Sequence, residues 1–335
     1  MSYAPSPVRY QSLPYRRCGR SGLVLPAVSL RLGQKFGSVD TLGTQRSILR
    51  RAFDRGATHF DLTNYSGPPY GAAEENLGRI FRSDFKPHRD ELAISTKAGC
   101  NVRQGPHGEW GSRKYLLASL DQTLKRTGLD HVDIFYSHWV DSSTPLEETV
   151  GALDSVVRAG KAVYVGVSSY SSEATRKAAA ILGSLGTPCT VHQSSYSMFN
   201  RWIEQGLLAT LSELGIGCVG LSVFAQGKLA DVMGGSATSP NPEFPASENL
   251  QHVKGLAGVA RERGQSLTQM AIAWTLREAR VSSALVGALT VVQLDDLLDA
   301  SRNLEFTPAE LAEIDKHTVE VASDLWTEST GVVAS

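Results

Sequence analysis

Short runs rich in β-branched and aromatic residues alternate along most of the chain with longer stretches whose apolar positions recur at helical spacing. VSLRLG (28–33) precedes a predicted helix over 41–55, in which Ile48, Leu49 and Phe53 share one face. The same alternation repeats in order: HFDLTN before AAEENLGRIFR, LAISTKAG before RKYLLASLDQTLKRTG, and VDIFYSH before PLEETVGALDSVVRAG. VYVGVSS precedes SSEATRKAAAILGSLG, with Ser171 or Ser172 as N-cap; CTVHQSSYS precedes RWIEQGLLATLSELG; GCVGLSVFAQG leads into a longer insertion; SSALVGAL (282–289) precedes VVQLDDLLDASRN. Gly56, Gly128, Gly160 and Gly215 fall just past the apolar pattern, where a helix needs a left-handed residue to end.

Eight strand-helix units with nearly continuous apolar strands describe a parallel sheet, and right-handed crossovers close eight of them into a (β/α)8 TIM barrel. The alternative, a doubly wound open sheet, loses ground because no GxGxxG follows the first strand. One α/β domain over 1–335 is therefore expected. To it are added an N-terminal β-hairpin cap (15–25, turning at 19–22), a lid or mobile loop in the Gly/Ser/Pro-rich run 233–249, and a C-terminal helix over 307–320.

Composition narrows the function. With 335 residues, 41% of them hydrophobic, the chain can bury a large core, and its net charge of −1 gives no electrostatic case for a nucleic-acid partner. Cys18, Cys100, Cys189 and Cys218 show neither CxxC nor metal-like spacing, so reduced thiols, no metal and a cytoplasmic location are expected. No apolar run reaches membrane-spanning length, and the polar start MSYAPSPVRYQSL lacks a signal-peptide core, so no membrane partner is expected either.

Polar residues at the ends of the β-type runs carry the chemistry. Asp61 and Tyr65 follow the second run, Lys97 ends the third, His138 the fourth, and Ser168 the fifth. Parallel barrel strands bring these ends to one mouth, where barrel enzymes keep their active sites. Reduction of a carbonyl by a nicotinamide needs a proton delivered to oxygen. A tyrosine can supply it if a nearby ammonium lowers the phenol pKa and a carboxylate holds that ammonium, while a histidine orients the carbonyl. Taken singly, Asp61 and Lys97 could equally be a buried ion pair and His138 a hydrogen-bonded core residue; Tyr196 and Trp202 read as packing.

FDLTN, GPPYGAAEENLGR, STKAG, GSRKYLLASLDQTLKRTGLDHVDIFYSH, GKAVYVGVSSYS, HQSSYSMFNR and AQG together make the chain resemble the aldo-keto reductases over about 15–313. The likeness is to the branch of bacterial glyceraldehyde-phosphate reductases and β subunits of voltage-gated potassium channels. That resemblance implies a TIM barrel, NADPH or NADH as cofactor, a small-molecule carbonyl substrate and a homo-oligomer. It also implies catalytic roles for Asp61, Tyr65, Lys97 and His138. Ser168 and Gln193 would hold the nicotinamide carboxamide, Ser222, Phe224 and Gly227 the pyrophosphate, and Gln293 and Asp296 the adenosine end.

The chain also departs from the family pattern. Five residues after Asp61, where the family has tyrosine, stands Ser66, and Tyr65 is one position early. Arg31 replaces a small glycine in the first strand, and Gly287, Ala288, Leu289, Thr290 replace a Gly-Ala-Ser-Arg segment that grips the 2′-phosphate. An inward Arg31 would occupy nicotinamide space or attract an anion, with Trp139 shaping the pocket beside it. Three functions follow: a reductase of aldehydes or ketones; a cofactor-independent dehydratase, epimerase or cyclase using Lys97, His138 and Tyr65; and a non-enzymatic regulatory subunit.

Overall fold

A computed structural model describes residues 3–99, 110–227, 229 and 246–318. Eight parallel strands form a closed barrel: β3 (Val28–Arg31), β4 (His59–Asp61), β5 (Ala93–Ala98), β6 (Val132–Ser137), β7 (Ala162–Ser168), β8 (Cys189–Ser195), β9 (Gly217–Leu221) and β10 (Val281–Val286), with β10 pairing β3 to close it. The expected TIM barrel is therefore present. The hairpin β1 (Tyr15–Arg17) and β2 (Val24–Pro26) is present as well, antiparallel and outside the barrel.

Two cores follow from the two faces of each strand. Inside the barrel, Ile134, Tyr136, Val191, Val219 and Leu285 pack on Cys18, Leu23 and Leu25, so the hairpin is a plug for the barrel floor. Outside, the strands pack against the helical ring: α1 (Leu42–Asp54), α2 (Ala72–Ile80), α3 (Arg113–Thr127), α4 (Leu146–Arg158), α5 (Ser172–Leu185), α6 (Leu207–Leu214), α7 (Ala246–Glu262), α8 (Leu267–Leu276) and α9 (Val291–Asp299), followed by α10 (Pro308–His317). Local chemistry sets the helix ends. Thr41, Ser112, Ser171 and Thr307 accept a backbone N–H three residues on, and Gly56, Gly128, Gly160 and Gly215 all have positive φ at the C-terminal ends. Ser171, not Ser172, is thus the cap of α5.

One expectation changes. The insertion after β9 holds two helices, and α8 had no amphipathic signature because it is apolar all round: Leu267 and Met270 through Leu276 are all buried. The proposed lid at 233–249 lies outside the described residues up to 245, and 246–249 belong to α7. Cys100 also lies outside them, whereas Cys18, Cys189 and Cys218 are free and buried. Among the described residues no helix is long and apolar enough to cross a membrane.

Ion pairs join the first and ninth helices where the ring closes. Arg51 and Arg55 of α1 reach Asp295 of α9 at 2.8 and 2.5 Å, and Arg55 also reaches Asp299 at 2.6 Å. These pairs are part-exposed, so each contributes at most about 1 kcal/mol and they mainly set register.

A glycine shapes the barrel interior. A Cβ on Gly166 of β7 would lie 2.3 Å from the Val191 carbonyl oxygen and 2.9 Å from the Tyr136 ring, so only glycine lets that ring fill the barrel at this level. Gly166→Ala should therefore lower stability by roughly 1–3 kcal/mol, read as a fall in the midpoint of denaturant unfolding; an unchanged midpoint would mean the interior is loosely packed there.

Candidate active site

The inward face of each strand alternates with the outward face, and the polar inward positions stack toward the C-terminal mouth. Asp61 and Lys97 meet there as a fully buried pair, Lys97 Nζ donating to Asp61 Oδ2 at 2.5 Å and lying 3.3 Å from the Leu62 carbonyl oxygen. Asp61 Oδ1 accepts from Ser95 Oγ at 2.6 Å and, across the barrel, from Gln193 Nε2 at 3.2 Å. Burial alone would raise the Asp61 carboxyl. The charge of Lys97 and the hydrogen bonds from Lys97 and Ser95 outweigh burial and hold it below the usual carboxylate range.

Behind this pair runs a chain of buried polar groups that the sequence did not single out. Because Ser95 donates to Asp61, its oxygen is left to accept from His59 Nε2 at 2.9 Å; His59 Nδ1 then accepts from Ser29 Oγ at 2.9 Å. Ser29 Oγ lies 2.6 Å from Ser283 Oγ, which donates to the Pro26 carbonyl of the hairpin at 2.7 Å. Every member of this chain is buried. The available signal was small: Ser29 and Arg31, His59 and Asp61, and Ser95 and Lys97 share inward parity two apart, an unusually polar lining for a barrel strand.

His138, just past β6, is buried and neutral. Burial first, then the charges of Lys97 and Arg31, push its imidazole down to about 3. Its Nδ1 lies 2.9 Å from Ser168 Oγ at the end of β7, and its ring stacks on Trp139 with centroids 4.7 Å apart. With Ser168 donating to Nδ1, the ring proton sits on Nε2, which has no partner among the described residues. Arg31 ends β3, in register with Asp61, and its Nε is enclosed without a hydrogen-bond partner.

The loop after β4 holds Ser66 and Asn64 on either side of Tyr65. Ser66 is buried and bonded to Thr63 through both its hydroxyl and its backbone N–H, so it faces its own turn. Asn64 is fixed by Tyr115 Oη and Ser119 Oγ of α3, and its N–H reaches the Lys97 carbonyl at 3.3 Å. Tyr65 lies between them, half-buried, on a loop tied to the end of the lysine strand.

Around the mouth, Ser169 and Ser222 directly follow β7 and β9 with φ of 60° and 58°, and Ala225 has φ 47°. Left-handed non-glycine residues are costly and cluster at ligand sites. The segment from Ser222 to Gly227 is a compact turn, with Ala225 N–H on the Ser222 carbonyl and Gly227 N–H on that of Phe224. Gln293 and Asp296 are engaged elsewhere: Gln293 Oε1 accepts from Leu289 N–H at 2.8 Å, and Asp296 Oδ1 accepts from Gln269 Nε2 of α8 at 2.8 Å. Tyr196 and Trp202 pack, bonding Glu204 and the Ser195 carbonyl. Tyr70, on the loop after β4, is 60% exposed. Among the described residues no His, Cys, Asp and Glu group could hold a metal.

A model of the Aldo/keto reductase family matches residues 33–319. The chain belongs to the aldo-keto reductase family. It is 48% identical to L-glyceraldehyde 3-phosphate reductase of Escherichia coli (strain K12), over 98% of this chain and 99% of the relative. It is also 33% identical to a probable voltage-gated potassium channel subunit beta of Arabidopsis thaliana, over 86% of this chain and 91% of that one. The corresponding protein of Oryza sativa subsp. japonica is 31% identical over the same share of each. In this aldo-keto reductase, then, the buried Asp-Lys pair and the neutral histidine stand at the mouth of the barrel, with Arg31 beside them.

The buried histidines make the fold acid-sensitive. His59 and His192 are pushed down to about 4, and His138 to about 3, each chiefly by burial. Below the usual histidine pKa the unfolded chain takes up protons that the native state refuses, so stability is full above about pH 6.5 and falls as pH drops toward 4. Each histidine should contribute up to ~1.4 kcal/mol of loss per pH unit in that window. Urea titrations from pH 7 to 4.5 should show this slope, reduced in His192→Gln; a flat profile would mean the histidines are charged in the native state.

Proposed function

We propose that this chain is an NAD(P)H-dependent reductase of a small aldehyde or ketone. The observation that carries the reading is the buried Asp61–Lys97 pair beside a neutral His138 at the barrel mouth. The name of the 48% identical relative, a reductase of an aldehyde, supports it.

The residues present fit a nicotinamide carboxamide. Gln193 Oε1 is buried with no hydrogen-bond partner, an acceptor suited to an amide NH2, and Ser168 stands on the adjacent strand in register with it. Gln193 and Ser168 would hold that end, and the turn from Ser222 to Gly227, with Phe224 in it, would line the pyrophosphate. Gln293 and Asp296 would act indirectly, by fixing the start of α9. When bound, the cofactor supplies hydride to the carbonyl carbon.

The chain's own residues manage the oxygen. His138 donates its Nε2 proton as a hydrogen bond to the carbonyl and fixes its direction, a task that requires the neutral ring. Tyr65 delivers the proton, its phenol made more acidic by the Lys97 ammonium. Asp61 holds that ammonium in place, and Ser95 and Gln193 hold Asp61. Trp139 forms the wall behind His138. Cytoplasmic location and assembly into a homo-oligomer belong to the same proposal; size-exclusion chromatography checks the second.

A redox-neutral reaction using Lys97, His138 and Tyr65 is the second reading, favoured by Arg31, whose charge reaches His138 and whose side chain would compete for nicotinamide space. Titrating the protein with NADPH and NADH by calorimetry separates the two. Micromolar binding of either supports the reductase, and no binding up to millimolar cofactor contradicts it. With cofactor and an aldehyde, Lys97→Met should abolish NADPH oxidation, and Tyr65→Phe should lower kcat/KM by about 10²–10⁴-fold. Full activity in Tyr65→Phe would place the proton donor elsewhere.

A further inference from the structure

The mouth contains a charge that no described residue balances. Ser29, two residues before Arg31 on β3, has its hydroxyl inside the barrel against His59 and Ser283, so Arg31 lies on the same inward face. From that face its guanidinium charge also bears on the His138 ring. Among the described residues, Arg31 Nε is enclosed by protein without a hydrogen-bond partner, and no carboxylate pairs with this guanidinium.

Asp61, its register neighbour, cannot serve. Asp61 Oδ2 is held by Lys97, and Oδ1 by Ser95 and Gln193. With His59 and His138 neutral, the inward groups Asp61, Lys97 and Arg31 leave one positive charge uncompensated among the described residues. A partly desolvated guanidinium without a partner is unfavourable, and a ligand anion would remove that cost.

We propose that Arg31 is a seat for the carboxylate of the substrate, and that the substrate class is the 2-oxo acids, in which that carboxylate adjoins the reacting carbonyl. This rests on the reading of the mouth as a carbonyl site and adds the group that selects among carbonyls. A carboxylate next to the carbonyl suits this mouth because Arg31 on β3 and His138 after β6 bracket the Asp61–Lys97 pair, and the guanidinium charge reaches the His138 ring across it. A single small molecule can therefore put its planar carboxylate on the guanidinium fork while its carbonyl oxygen faces His138 Nε2. A lysine at position 31 would keep the charge and lose the fork.

The test measures binding without turnover. Oxamate, a carboxylate-bearing mimic of a 2-oxo acid, and its neutral counterpart oxamide are titrated into the protein by calorimetry, alone and with NADPH. Oxamate should bind at least tenfold more tightly than oxamide. Arg31→Gln should erase that preference, and Arg31→Lys should keep only part of it. Equal affinity for the two probes, or a preference unchanged in Arg31→Gln, overturns the seat. Inorganic phosphate is titrated in parallel: Arg31-dependent binding of phosphate but not oxamate overturns the 2-oxo acid class. If Arg31→Gln does not fold, by circular dichroism, Arg31→Lys carries the comparison. The outcome is separable from the reductase reading: oxamate selectivity without any NADPH-dependent reduction would sink that reading and leave the seat, whereas reduction of neutral aldehydes with no anion preference would do the reverse.

Discussion

Two full charges, Asp61 and Lys97, are buried at the top of the barrel, and the rest of the site is arranged to make that tolerable. Moving such ions out of water costs several kcal/mol each, and their attraction offsets this only when the remaining oxygens and protons also find partners. Here they do: Ser95 and Gln193 complete the carboxylate, and the Leu62 carbonyl lies close to the ammonium. Removing one member would strand the other, so the pair is a structural commitment as well as a chemical one. Its consequence is a lysine fixed beside a histidine that burial keeps neutral.

The support extends through the barrel. From Ser95 the hydrogen bonds pass to His59 and Ser29, and Ser283, in contact with Ser29, donates to the Pro26 carbonyl at the foot of the hairpin that plugs the floor. The hairpin is thus more than a cover. It terminates a buried polar column whose other end is the Asp61–Lys97 pair, and a polar interior of this kind holds one geometry because each member has few alternative partners.

Much of this architecture was legible in the sequence. Alternation of short apolar runs with helical periods, punctuated by Gly56, Gly128, Gly160 and Gly215, carried the barrel, and the residues at the strand ends carried its mouth. The illegible parts have physical reasons. The helix Leu267–Leu276 is buried on all sides and so shows no period. The contact of Gln193 with Asp61 spans the barrel between residues 132 apart in sequence, which no local pattern encodes. The inward direction of Arg31 depended on strand parity that only the Ser29 contacts fix. That Ser66 is held by Thr63 in its own turn, and Asn64 by α3, depends on contacts that no local pattern encodes.

The departures from the family pattern gather at the mouth: an arginine on the first barrel strand, a serine at the tyrosine's spacing, and a capping threonine where a phosphate-gripping arginine stands in the family. Family membership and barrel do not decide what such a mouth does, since function lives in the site. The most direct measurement is a crystal structure of the protein grown with NADPH. The account predicts the nicotinamide carboxamide in the mouth, its amide nitrogen against Gln193 Oε1, with Arg31 present beside it. A mouth without cofactor, in crystals grown at millimolar NADPH, would contradict it and return the Asp61–Lys97 pair to redox-neutral chemistry.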